Sequence, residues 1–176
     1  MGMIINPYLV QPSIPPFTGL LDTYSGAAVA YSAARRLRTA YTGSLIRVRR
    51  SSDNTEQDIG YDANNVLDQS ALTTFVGANN GFVVTIYDQS GNAKNATQAT
   101  AVNQPRIVNA GVVDLVNTKP AILGDGSNDT LINTTLSLTN PTSIFTVVDK
   151  VGTSGSFGLY AVTGFGGAFN VLSGGY

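Results

Sequence analysis

The alternation of apolar and polar positions is clearest at SLIRVRR, where Ile46 and Val48 face one way and Arg47 and Arg49 the other. A period of two is that of a half-buried strand. Before it, LDTYSGAAVAYSAARRLRTAYTG carries strong helix formers from Ala27 to Ala40, with Ala30, Ala34 and Leu37 on one face. This pattern predicts a helix capped at Thr23 or Ser25, with Arg35, Arg36 and Arg38 near its C-terminal end and Gly43 stopping it. SSDNTEQDIGYD reads as a polar loop. LDQSALTTFVG predicts a short second helix, capped by Asp68 and ended by Gly77. From residue 79 the runs FVVTIY, PRIV, VVDLV, PAIL, TLINTTLSL and SIFTVVD alternate with the turns NNG, QSGN, NAG and GDGSND. Short strands at this spacing predict a mainly β chain, an antiparallel β-sandwich or jelly roll with one N-terminal helix and a short second helix. The final VGTSGSFGLYAVTGFGGAFNVLSGGY is Gly-rich and still strand-like, so the sandwich domain, residues 21–176, reads as incomplete at its C-terminus.

Residues 1–20 break the pattern. Four of the seven prolines, Pro7, Pro12, Pro15 and Pro16, lie there beside Ile4, Ile5, Tyr8, Leu9, Ile14 and Phe17. Proline fixes φ and removes a ladder donor. The expectation is an extended arm that docks on a neighbouring copy or another protein.

Composition narrows the chemistry. Only 12% of the 176 residues are charged, against a usual ~25%. The net charge of −1 does not direct the chain to nucleic acid or to membranes. No apolar run reaches the roughly 20 residues of a membrane span, and the N-terminus lacks the basic and apolar regions of a signal peptide. With no Cys and no His, disulfides, thiolate metal sites, His bases and Ser-His-Asp triads are excluded. There is a single glutamate, Glu56.

Three clusters remain as candidate sites. Six of the ten basic residues lie between Arg35 and Arg50, followed directly by Asp53, Glu56, Asp58 and Asp62. That order predicts salt bridges between strand and loop. The GDGSND turn gathers Asp125, Ser127, Asn128 and Asp129, and Asp125, Asn128 and Asp129 are oxygen ligands of the kind calcium takes, though the spacing is not that of an EF-hand. The competing reading is a tight turn bonded to its own backbone, and no other cofactor is expected. The loop IYDQSGNAKNATQ gives the candidate ligand-binding residues Tyr87, Asp88, Gln89 and Asn92. Here Gly91 suits a positive φ and Asp88 suits backbone N–H groups across the turn. One carboxylate in a loop is not the pair a glycosidase needs, so no catalytic residue is assigned.

The stretch from LDTYSGAAVAYSAARRLRTAYTGSLIRVRRSSDNTEQDIGYD, with GFVVTIYDQSGNAKNATQ and KPAILGDGSNDTL, resembles the N-terminal catalytic region of the fungal-type α-L-arabinofuranosidase B family over roughly residues 20–150. The resemblance implies a concanavalin-A-like β-sandwich. It also implies catalytic carboxylates lying later in the domain than this chain reaches, so that no residue here inherits them. The fungal enzymes carry cysteines, one pair of them in the substrate pocket, that this sequence lacks. The same signature is found in bacteriophage proteins encoded near tail or virion genes. Taken with the arm and the open sheet, this leads to an expected bacteriophage virion structural protein. Its lectin-like sandwich would serve capsid decoration, a tail fibre or adhesion, with a location on the particle surface or tail. Its partners would be other virion proteins, copies of itself and cell-surface glycan. The alternatives are an arabinofuranosidase-like glycoside hydrolase or a fragment of one, and a free carbohydrate-binding module using Tyr61, Tyr87 or Tyr160. The reading leans away from an enzyme.

Overall fold

A computed structural model describes residues 16–138 and 143–149, together with the backbone of two short strands, 157–160 and 169–171. Most of the expected arm, residues 1–15, lies outside the described residues. As expected, the chain is mainly β and antiparallel, with two helices. In chain order the elements are α1 (Leu20–Thr23), β1 (Ile46–Arg50), β2 (Glu56–Ile59), α2 (Gln69–Val76), β3 (Gly81–Ile86), β4 (Ala96–Thr97), β5 (Arg106–Asn109), β6 (Val112–Val113), β7 (Leu115–Val116), β8 (Lys119–Pro120), β9 (Phe157–Tyr160) and β10 (Phe169–Val171).

The main sheet runs β2-β1-β3-β5-β6, with β4 also paired to β3. Its register separates two faces. Ile46 sits between Ile59 and Ile86, and Val48 between Gln57 and Val83. This face buries Leu45, Ile46, Val48, Ile59, Val83 and Val108 against Leu72, Phe75 and Val76 of α2. Gly81 lets the helix approach: a Cβ there would lie 3.1 Å from both Val48 and Val76. The helix begins and ends as its sequence predicts. The Asp68 carboxylate accepts the Ala71 N–H at 2.8 Å, and Gly77 follows at φ +61°. The opposite face carries Arg47 beside Asp58, and a row of Arg49, Phe82 and Arg106 from three adjacent strands.

Three expectations fail. The Ala-rich segment is not a helix. Only Leu20–Thr23 is helical, capped by Asp22 receiving the Gly19 N–H, and residues 24–45 run as irregular backbone. Helix propensity is a weak bias that tertiary bonds override; which bonds do so is described below. The polar loop contains a strand, β2, whose carboxylates point outward from the sheet edge. SIFTVVD has the composition of a strand, yet residues 143–149 pair with nothing described, and Phe145 and Val147 are 94% and 101% exposed. Of TLINTTLSL, only Ile132 makes a bridge, to Thr97.

Candidate functional site

The DQSGN loop is built inward rather than outward. Asp88 is 4% exposed. Its Oδ1 accepts the N–H groups of Ala30 and Ser90, both at 2.9 Å. Its Oδ2 accepts the Ser90 hydroxyl at 2.8 Å and the Lys94 N–H at 3.0 Å. Lys94 therefore meets Asp88 through its backbone, and its ammonium reaches instead toward the Thr135 carbonyl. Gln89 is fully buried. Its Oε1 accepts the Leu37 N–H at 2.7 Å, while Nε2 donates to the carbonyls of Ser32 and Arg35. Asn92 Nδ2 donates to the carbonyls of Ala27 and Ala28. Gly91 takes φ +98°, as expected, and Arg38 packs over it to donate to the Ser90 carbonyl.

The loop thus supplies side-chain partners to main-chain groups all along residues 27–37. A helix there would need those same N–H and C=O groups for itself. Long-range bonds to buried Asp88 and Gln89, with Leu67 N–H to Ala34 C=O and Arg36 N–H to Asn65 C=O, outweigh local propensity because buried polar groups must be paired.

Tyr87 stands apart from its neighbours. Its hydroxyl donates to Asp58 Oδ1 at 2.7 Å on the polar sheet face. Burial, and then the bond to Asp58, push the phenol up to about 12. Arg47 Nε lies 2.9 Å from Asp58 and 3.9 Å from Glu56, and Arg50 pairs with Asp53 at 2.6 Å. The expected strand-to-loop salt bridges therefore form for Asp53, Glu56 and Asp58. Asp62 instead closes its own turn through Asn64 and Val66. Arg36 lies between the rings of Phe17 and Tyr61, 5.1 and 4.8 Å from their centroids.

In GDGSND, Asp125 Oδ1 accepts the N–H groups of Ser127 and Asn128, and Asp129 Oδ2 accepts the Asp125 N–H. The first of these bonds, to Ser127, holds the Asp125 carboxyl below its usual range. Asn128 turns its amide to Asn103. The three proposed ligands share a turn, but among the described residues no group of three or more acidic, His or Cys side chains could hold a metal ion. No helix among the described residues is long and apolar enough to cross a membrane.

Grooves open on the surface of the described residues, two of them beside the main sheet. A trough of about 750 Å³ lies between β2 and α2, and there Arg50 is folded onto Phe75. The other, of about 530 Å³, runs over the Arg49–Phe82–Arg106 row toward Leu123 and Asp125. Sequence reasoning missed this second groove. Arg49 and Arg106 were readable only as strand positions, and their register across Phe82 depends on pairings between distant segments.

The family model for the catalytic part of α-L-arabinofuranosidase B matches residues 22–143. A probable α-L-arabinofuranosidase B of Aspergillus flavus is 37% identical over 104 residues, covering 56% of this chain and 19% of the relative. The α-L-arabinofuranosidase B of Aspergillus niger is 39% identical over 71 residues, covering 40% of this chain and 14% of the relative. A solved arabinofuranosidase complexed with arabinofuranosyl-alpha-1,2-xylobiose superposes with a TM-score of 0.47 at 30% identity, over 52% of this chain and 22% of that one. The chain thus spans about a fifth or less of the length of these relatives. These matches overturn the expected bacteriophage virion protein, with its decoration, tail-fibre or adhesion role and its location on a particle. They are to arabinofuranosidases, and the named relatives come from fungi. The match runs from the third residue of α1 through β8 to the start of SIFTVVD, and the chain belongs to the α-L-arabinofuranosidase B catalytic family.

Proposed function

We propose that this chain is part of the catalytic domain of an α-L-arabinofuranosidase-type glycoside hydrolase, and that its described residues form scaffold around the chemistry rather than the acid–base pair itself. The family match over residues 22–143 carries the first half of this reading. The state of the carboxylates supports the second half. Hydrolysis with retention or inversion needs two carboxyl groups facing one glycosidic bond, ~5–5.5 Å or ~6.5–9.5 Å apart. Most of the acidic groups described here are engaged in local structure. Asp22 and Asp68 cap helices, Asp62, Asp88 and Asp125 close loops, and Asp53 and Asp114 pair with arginines. Glu56 and Asp58 lie side by side on one face of β2, both within reach of the single Arg47 guanidinium.

The test is release of 4-nitrophenolate from 4-nitrophenyl α-L-arabinofuranoside by the protein purified from its native source. Turnover is expected, with kcat unchanged in Glu56→Gln and Asp58→Asn. No turnover on this or on arabinose-substituted polysaccharide would sink the hydrolase reading. A collapse of kcat in either variant, with stability intact, would sink the scaffold reading.

A further inference from the structure

The groove over Phe82 combines an apolar lining with hydrogen-bonding groups that have capacity to spare. We propose that it is a non-catalytic binding site for a neutral saccharide, taking one or two sugar units of a longer chain. The site does not depend on this chain being a hydrolase.

Its volume of about 530 Å³ falls within the ~300–1,000 Å³ of small-molecule sites. Val102 and Leu123, 74% and 36% exposed, supply the apolar lining, with Phe82 part-exposed beneath the Arg49 guanidinium. Sugars present C–H faces to such surfaces and hydroxyls to the groups around them. The rigid parts are set in advance. Arg49 lies over the Phe82 ring, 4.9 Å to its centroid, and is held by Gln104 at 2.6 Å and Asn54 at 2.8 Å. Arg106 is gripped by Asp114 through Nε and Nη2. Little side-chain freedom remains to be lost on binding, which is what preorganisation contributes.

Unused capacity remains after these bonds. Arg106 Nη1 has no partner among the described residues. Asn80 gives Oδ1 to the Ala110 N–H, and its Nδ2 donates to no described group. Asp125 and Asp129 each use one carboxylate oxygen within the turn, while an ionised carboxylate offers about four acceptor positions. Donors on Arg106 and Asn80 and acceptors on Asp125 and Asp129 in one groove suit a ligand that carries hydroxyls.

Charge separates a sugar from an anion. Arg49 and Arg106 are matched in the lining by Asp125 and Asp129, and Asp114 already neutralises Arg106. A phosphate or a polyuronate would meet two carboxylates with no surplus cation, so the balance favours an uncharged ligand.

The experiment is an NMR titration of the purified protein with xylotetraose and, separately, with arabinotriose. Inorganic phosphate and an oligogalacturonate serve as anionic comparisons. Amide shifts at Phe82, Arg106 and Gly124 are expected with at least one neutral oligosaccharide. Phe82→Ala and Asp125→Asn should each weaken its affinity by about tenfold or more. Asp125→Asn retains the oxygen that closes the turn, so it keeps the test valid if Phe82→Ala fails to fold. No shift at these amides with either neutral probe overturns the proposal. So does affinity unchanged in Asp125→Asn, or a response to the anions as large as that to the sugars. Hydrolysis of the nitrophenyl arabinoside is read on the same samples. Loss of oligosaccharide affinity with kcat retained is the expected pattern, and binding without any hydrolysis would defeat only the hydrolase reading.

Discussion

Replacing Asp88 by alanine separates a structural loop from a catalytic one. The substitution removes the acceptor for the main-chain N–H groups of Ala30, Ser90 and Lys94 and for the Ser90 hydroxyl. A buried donor left unpaired costs ~1–3 kcal/mol. Three orphaned N–H groups, with water reaching some of them through the space left by the carboxylate, place the loss at about 3–5 kcal/mol. That is a large share of the ~5–15 kcal/mol by which a domain is stable. With a urea m-value of ~2 kcal/mol/M, the midpoint falls by about 2 M. Hydrogen exchange should locate the damage. The Ala30 amide loses its partner outright, and the Leu37 amide, held by Gln89 next in the chain, loosens with it. A catalytic Asp88 would behave in the opposite way, with an unchanged urea midpoint, unchanged exchange and a lost kcat. A midpoint within ~0.5 M of the parent protein, with protected Ala30 and Leu37 amides, would refute the reasoning that makes this loop a staple.

Three further outcomes can be checked on the same material. Burial chiefly, aided by the bond to Asp58, raises the Tyr87 phenol to about 12, and burial does the same for Tyr41. A raised phenol contributes stability that is whole below the unfolded value near 10 and is lost as pH climbs through 12. Ultraviolet titration should therefore show two late tyrosines and alkaline destabilisation between those values, with one late tyrosine gone in Tyr87→Phe. Gly91→Ala should cost ~1–3 kcal/mol in urea unfolding, because φ is +98° and the new Cβ would clash with Arg38 Nη1; an unchanged midpoint would show that Arg38 swings away freely. Asp68→Ala should cost about 1 kcal/mol, with fraying of the first turn of α2 seen as faster Ala71 exchange.

What could be read from the sequence depended on how local its cause was. The period of β1, the cap and stop of α2, and the run FVVTIY each follow from neighbours in the chain, and each is found where expected. The Ala-rich segment misled because its fate is decided from Asp88, Gln89 and Asn92, more than fifty residues away, which take the main-chain groups a helix would use. β2 was hidden by its polarity: a strand at a sheet edge needs only one apolar contact, here Ile59. A signal for it did exist. Glu56 and Asp58 repeat at the same spacing as Arg47 and Arg49, and the register sets Arg47 opposite Asp58 and Arg49 opposite Glu56. SIFTVVD shows the reverse error, since strong β propensity cannot make a ladder without a second strand.

The same distinction bears on what the family signature means. Its most recognisable piece, YDQSGN, could be read as a turn from Gly91 and Asp88 alone, but not as the clamp on a distant irregular segment. In the structure every residue from Asp88 to Asn92 has a bond or contact that serves that clamp, and Tyr87 alone turns outward, to Asp58 and Arg47. The carboxylate of Asp88 and the amide of Gln89 are both taken up in holding backbone. The lightly engaged groups sit elsewhere on the sheet, around Phe82, where Arg106, Asn80 and Asp125 have bonds still to make. Chemistry in a protein is sought among groups with unspent hydrogen-bonding capacity, and by that criterion the groove over Phe82 is where we place a ligand on this part of the chain.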